Sequence, residues 1–281
     1  MIETVTLPFD LPFDDGALRR AVALIAAGQP VAVASETVYG LAADATSGAA
    51  VARIYAAKGR PAFNPLIVHV LDAGAAATLA DFPAAARRLA EAFWPGPLTM
   101  VLPRAAASPI AALVSAGLPT VALRVPAHPA IRALIAASGR PLAAPSANAS
   151  GRISATRAGH VAASLAGRIP LILDSGATDH GLESTIVAVE ADRLRLLRPG
   201  PIAAEALEQT SGLPVIAADG GAIEAPGQLS SHYAPAKPLR LDAHAARPDE
   251  WLIGFGPVAG DATLSASGDL VEAAAALFDA L

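Results

Sequence analysis

Gly28-Gln29-Pro30-Val31-Ala32-Val33-Ala34-Ser35-Glu36-Thr37-Val38-Tyr39-Gly40 is the stretch from which the rest of the chain is read. Before it, Asp14 and Asp15 precede an apolar-periodic run, Leu18, Val22, Leu24 and Ile25, that stops at Gly28 as a capped helix does. Pro30 cannot continue that helix, and 31–34 is a short apolar run of strand type. The strand hands Ser35 to Gly40 to a loop at its C-terminal end, where open α/β sheets collect binding groups.

The alternation continues outward. Ser47 can cap a second helix carrying Val51, Ile54 and Tyr55; Lys58-Gly59-Arg60-Pro61 breaks it, and 66–70 reads as strand. Downstream the pattern predicts helices over 83–93, 129–138 and 156–166, and strands over 97–102, 120–125, 141–145 and 169–173. The runs 184–189 and 193–198 lie too close together for a crossover helix and predict a hairpin. The expected class is therefore α/β (α+β), a twisted open mixed sheet flanked by helices.

At 281 residues the chain is long enough for about two domains. Hydrophobic residues at 53%, charged at 16% and aromatic at 4% exclude a disordered, collagen-like or coiled-coil chain and point to a core of small side chains. The sequence divides into a body over 1–216, a Pro- and Gly-rich linker over 217–238, and a short α/β piece over 239–281, with strand-like 239–241 and 251–255 and a helix from Asp269. That last piece is small for an independent domain. The net charge of −5 hides an asymmetry: residues 1–200 hold 17 Lys and Arg against 14 Asp and Glu, whereas 201–281 hold 3 against 11. A mildly basic body suits an anionic small molecule better than a nucleic-acid surface, which needs a strong basic stripe. Without cysteine there is no disulfide, thiolate nucleophile or Cys-type metal site, and the six histidines have no metal-like spacing. The N-terminus lacks a signal-peptide pattern and no apolar stretch is long enough to span a bilayer, so a cytoplasmic location is expected.

Common phosphate and hydrolase signatures are missing. What stands out are polar clusters at the ends of apolar runs. Lys58 and Arg60 put two cations at a helix end, which suits either phosphate oxygens or simple helix C-capping. Residues 145–156 concentrate hydroxyls and amides after a strand, either as a polar loop ending in a Ser154 helix cap or as a phosphate cradle. Arg124 interrupts an apolar strand and needs an anion, Glu183 or a ligand carboxylate, to offset its burial. His69, also within a strand, is by itself more readily a hydrogen-bonded core residue than a catalyst.

In order, these clusters resemble the YrdC/Sua5 family of L-threonylcarbamoyladenylate synthases. The strings that carry the resemblance are Ser35-Glu36-Thr37-Val38-Tyr39-Gly40-Leu41, Lys58-Gly59-Arg60-Pro61 through Asn64-Pro65-Leu66-Ile67-Val68-His69, Trp94-Pro95-Gly96-Pro97-Leu98-Thr99, Pro145-Ser146-Ala147-Asn148 with Ser150-Gly151, Glu183-Ser184-Thr185-Ile186, and Leu197-Arg198-Pro199-Gly200. His232-Tyr233-Ala234-Pro235 resembles the linker of the longer, Sua5-type members, whose second domain is Rossmann-like and here looks shortened. The resemblance implies that ATP, bicarbonate or CO2 and L-threonine give threonylcarbamoyl-AMP and pyrophosphate. The product would pass to the machinery that modifies position 37 of tRNAs. Mg2+ is expected with the ATP, and no metal site is assigned to the protein. By position in the motifs, Thr37, His69, Arg124, Ala144 (through its backbone) and Ser184 resemble the threonine site. Lys58, Arg60, Asn64, Thr120, Ser146, Asn148, Ser154 and Arg198 resemble the ATP side, with Tyr233 closing over the nucleotide and Lys58 and Arg60 as the catalytic cations. Ser35 stands where many members have Thr, and 225–233 lacks the Lys, Tyr and Arg that commonly precede His-Tyr. An RNA-binding protein without synthase activity is the alternative. The weak positive charge and three tyrosines count against it, and little direct nucleic-acid contact is expected.

Overall fold

A computed structural model describes residues 2–218, 221, 223–228 and 233–281. The strands are β1 (Val5–Pro8), β2 (Val31–Ala34), β3 (Tyr39–Asp44), β4 (Ile67–His69), β5 (Leu98–Pro103), β6 (Thr120–Arg124), β7 (Leu142–Ala143), β8 (Leu171–Asp174), β9 (Thr185–Val189), β10 (Leu194–Arg198), β11 (Val215–Ala217), β12 (Ile253–Gly254) and β13 (Ala262–Thr263). The helices are α1 (Asp15–Ala26), α2 (Gly48–Lys58), α3 (Ala73–Ala77), α4 (Ala84–Phe93), α5 (Pro129–Ser138), α6 (Ala158–Leu165), α7 (Ala204–Ser211) and α8 (Leu270–Ala280). The first eleven strands form one mixed sheet in the order β1-β8-β2-β3-β7-β4-β6-β5-β9-β10-β11, with β9 and β10 as the expected antiparallel hairpin.

The two faces of this sheet are covered differently. On one, Val68, Leu123, Met100 and Val187 join apolar residues of α2, α4, α6 and α7 in the main core. On the other, Val31, Val33 and Leu142 pack under α1 and α5. At the far end of that second face, Ile67, Val101, Ala122, Ile186 and Leu197 lie under Ala225 of the chain segment that follows β11. Between these coverings the middle strands stay uncovered, and there the cleft opens.

Local chemistry explains the elements that frame it. Asp14 caps α1 by accepting from the Ala17 N–H, and Ser47 caps α2 by accepting from the Ala50 N–H. Gly59 ends α2 in the left-handed conformation. β3 lies inside what reads from sequence as loop: its Gly and Ala content is poor in strand formers, and burial at the sheet centre overrides that preference. The expected strand over 141–145 shrinks to Leu142–Ala143, because Pro145 has no N–H to donate. Beyond β7 the chain still touches β3 through the Gly40–Ser146 bridge. In the C-terminal piece, residues 239–241 form no strand, and 251–255 yields only the two residues of β12, paired in parallel with β13. Asp269 caps α8, accepting from the Val271 and Glu272 N–H groups.

Candidate active site

Period-two alternation aims the site. In β4 and β6, Ile67 pairs with Ala122 and His69 with Arg124, so His69 and Arg124 stand side by side on the uncovered face. Thr120 shares that face at the other end of β6 but does not line the cleft. In β10 a bulge between Leu196 and Arg198 sets Arg198 opposite Ile186 instead of one residue further on. The extra residue re-aims the side chain, and Arg198 turns into the cleft.

The cleft is lined by Thr37, Arg60, His69, Arg124, Ala144, Ser146, Arg198 and Tyr233 among the residues expected from sequence, and by Ser35, Glu183 and Pro226 in addition. Pro226 and Tyr233, from the chain segment that follows β11, form part of its wall. Tyr233 adopts a left-handed backbone (φ 54°), accepts from Arg198 Nη1 at 3.0 Å and stacks on Phe278 of α8 at 5.7 Å. His232, its neighbour in the motif, lies outside the described residues, as do Leu229, Ser230 and Ser231 of the altered linker string.

On the threonine side, the anion that holds Arg124 is Glu36, not Glu183. Nη2 meets Glu36 Oε1 at 2.6 Å, Nη1 donates to Thr37 Oγ1 at 2.9 Å and Nε to the Gly96 carbonyl at 3.2 Å. Glu183 stands just before β9 and is engaged there by Ser154 and Arg198. Burial alone would raise the Glu36 carboxyl, but the Arg124 charge and hydrogen bonds outweigh it and hold the group down to about 2. His69 is buried, and its Nδ1 has no hydrogen-bond partner among the described residues. Burial, reinforced by the Arg124 charge, pushes its imidazole down to about 3, so it is neutral near pH 7. The Ala144 N–H is spent on the Ile67 carbonyl, which leaves its own carbonyl as the group it can offer. Ser184 sits behind the wall, its hydroxyl bonded to Thr99 Oγ1 at 2.7 Å and to Arg198 Nη2 at 3.0 Å.

On the other side, Arg60 is braced by its own turn, donating to Asn64 Oδ1 at 2.6 Å and to the Asn64 and Pro65 carbonyls. Lys58 does not line the cleft, and it caps no helix end. Its buried Nζ donates to the Ser146 and Asn148 carbonyls and so ties α2 to the 145–148 loop. Burial, with Arg60 nearby, pulls its ammonium down to about 7. Ser154 is not a helix cap either: Arg157 holds that position without a side-chain bond, and Ser154 Oγ donates to Glu183 Oε1 at 2.7 Å. Asn64 Nδ2 and Asn148 Oδ1 are buried without partners among the described residues.

Sequence reasoning missed Glu36 as a site component, although it stands between two residues already singled out. A carboxylate just after an apolar strand was the available signal, and reading it requires Arg124 to be placed first. Nothing in the cleft resembles an activated nucleophile, and among the described residues no group of three or more His, Asp or Glu could hold a metal ion.

The motifs and the sheet agree with known proteins. A family model for Sua5, YciO and YrdC, described as "Telomere recombination", matches residues 23–200. The chain belongs to the Sua5/YciO/YrdC family. A second family model, described as "Threonylcarbamoyl-AMP synthase, C-terminal domain", matches residues 202–281 and so takes in the linker as well as the small α/β piece. Among relatives, the Threonylcarbamoyl-AMP synthase of Bacillus subtilis is 45% identical over 239 residues, 83% of this chain and 68% of that one. That of Pyrococcus abyssi is 44% identical over 224 residues, 78% of this chain and 65% of that one. The chain thus spans about two thirds of the length of these curated relatives. The crystal structure of P. abyssi Sua5 complexed with L-threonine superposes with a TM-score of 0.85 at 36% identity, covering 98% of this chain and 87% of that one. Family membership accounts for the mixed sheet and the order of the polar clusters. No helix among the described residues is long and apolar enough to cross a membrane.

Proposed function

We propose that this chain is an L-threonylcarbamoyladenylate synthase, making threonylcarbamoyl-AMP and pyrophosphate from L-threonine, bicarbonate or CO2, and ATP, in the cytoplasm. The observation that carries this is the 0.85 superposition on a protein crystallised with L-threonine, together with the convergence of Thr37, His69 and Arg124 on one cleft.

The amine of threonine adds to CO2 and loses a proton to give a carbamate. A carbamate oxygen then attacks the α-phosphorus, and the bond to the β,γ-pyrophosphate breaks. No protein nucleophile is needed, so this chain contributes binding, orientation and exclusion of water. Arg124 and the Thr37 hydroxyl face the amino-acid carboxylate. His69, neutral, offers a hydrogen bond to the amine or the carbamate. Arg60 and Arg198 meet phosphate oxygens, with Glu183 and Ser184 orienting Arg198. Lys58 acts through the loop it holds. The cleft's cationic donor set suits phosphates rather than a resident metal, so Mg2+ arrives as the counter-ion of ATP and supplies charge neutralisation there. Pro226 and Tyr233 move aside to admit the nucleotide, and Tyr233 closes over it once it is bound. The activated product is suited to transfer onto a tRNA adenosine by a separate enzyme.

Pyrophosphate release from ATP, measured with and without L-threonine and bicarbonate, tests this. Release that requires both, with a product of the mass of threonylcarbamoyl-AMP, is expected. Threonine-independent release, or none, would overturn it.

A further inference from the structure

We propose that Glu36 is a positioning residue for the amino-acid half of the cleft, setting how Arg124 and Thr37 present themselves to a carboxylate; this rests on the synthase reading. Glu36 does not line the cleft, yet it joins three of its walls. One oxygen pairs with Arg124 on β6 at 2.6 Å, and the other accepts from the Ala127 and His128 N–H groups at 3.0 and 3.2 Å, at the N-terminal end of α5. Its own backbone carbonyl accepts from the His180 N–H at 2.8 Å, tying in the loop before Glu183.

Two consequences follow from chemistry. First, a buried ion pair is weak evidence of a stability function, since apolar side chains fill such space at lower cost. What an ion pair provides that packing does not is a fixed orientation of the guanidinium. With Glu36, Thr37 and Gly96 as acceptors, three of the five Arg124 N–H groups are fixed and the rest are pre-aimed. Second, both Glu36 oxygens are occupied, so the carboxylate is not offered to the ammonium of a bound amino acid. Pairing there would hold the amine protonated and unable to capture CO2. Glu36 thus balances the Arg124 charge without competing for the reacting nitrogen.

The test is a double-mutant cycle on L-threonine binding. Glu36→Gln, Arg124→Ala and the double variant are compared by calorimetric titration with L-threonine and by steady-state pyrophosphate release. Glu36→Gln is expected to raise the threonine Kd and KM about tenfold, leave the ATP KM within about twofold, and add nothing in the Arg124→Ala background. Glu36→Asp, which keeps the charge on a shorter arm, carries the same test if the Gln variant folds poorly, with an expected loss of about threefold. An unchanged threonine Kd, equal losses for both substrates, or additive effects with Arg124→Ala would overturn the proposal. If the wild-type protein binds threonine but releases no pyrophosphate, the synthase reading fails while the Kd comparison still decides the role of Glu36.

Discussion

At the scale of single residues, the site is a set of charges placed where water cannot reach them, which makes their protonation a stability question. The Glu36 carboxyl is held at about 2 against an ordinary 4.5. A depressed carboxylate contributes stability that is whole above the unfolded-state value and lost as the pH falls through the folded one. The window is therefore pH 4.5 down to 2, and the contribution is about 3 kcal/mol at about 1.4 kcal/mol per pH unit. Acid denaturation should be less steep in that window for Glu36→Gln than for the wild type, read by circular dichroism. His69 makes a different prediction. Held at about 3, it has no protonation change between pH 6 and 9, so an acid limb of the rate profile in that range belongs to another group. Replacing His69 by Asn should raise the threonine KM about tenfold and leave that limb where it is; a limb that moves would show that His69 titrates in the working enzyme. Arg124 was legible from sequence as a charge needing a partner, because an apolar strand advertises the cost of burying it. The identity of the partner was not, since Glu36 lies 88 residues away and meets it only through the sheet order.

At the scale of elements, the clusters seen in sequence turn out to be backbone devices as much as side-chain ones. In Trp94-Pro95-Gly96-Pro97, a Cβ on Gly96 would stand 2.5 Å from the Phe93 carbonyl, and the Gly96 carbonyl accepts from Arg124. In Arg198-Pro199-Gly200, a Cβ on Gly200 would stand 2.4 Å from the Thr185 nitrogen and 2.7 Å from the Glu183 carbonyl. These are backbone atoms that cannot step aside, so Gly200→Ala must shift the start of β9 and with it the support of Arg198. The expected cost is about 2 kcal/mol or more of stability, with weaker nucleotide binding, checked by thermal denaturation and the ATP KM. Unaltered values would mean that the turn has more room than its contacts indicate. Helices α1 and α2 were legible because their apolar periodicity and their side-chain caps agree, whereas α4 has no side-chain cap and was legible from its periodicity alone. β3 was not: Tyr-Gly-Leu-Ala-Ala-Asp forms a strand only because β2 and β7 flank it on both sides. The bulge in β10 has no sequence signal in a single chain, yet it decides which way Arg198 points.

At the scale of the whole molecule, the acidic remainder of the chain is joined to the basic body through α8. Asp279 meets Arg157, the residue before α6, at 2.8 Å and His160 of α6 at 3.4 Å, and Phe278 stacks on Tyr233. Composition showed the asymmetry in charge, but the contact it serves depends on a single glycine in the body. Gly181 has a left-handed backbone (φ 60°), and a Cβ there would stand 2.0 Å from the Ala275 carbonyl oxygen of α8. Helix and loop touch backbone to backbone, which only glycine permits. Gly181→Ala should therefore push α8 off the body, and Tyr233 loses its stacking partner in the same step. Amide exchange is expected to speed up across 270–280 while β4 and β6 stay protected, and the ATP KM should rise several-fold with little change for threonine. Phe278→Ala separates the two effects, because it removes the stack without forcing the helix away, and should reproduce the ATP change alone. If Gly181→Ala leaves the exchange of α8 unchanged, the helix is not seated on that loop, and Tyr233 must be held at the cleft by Arg198 without it.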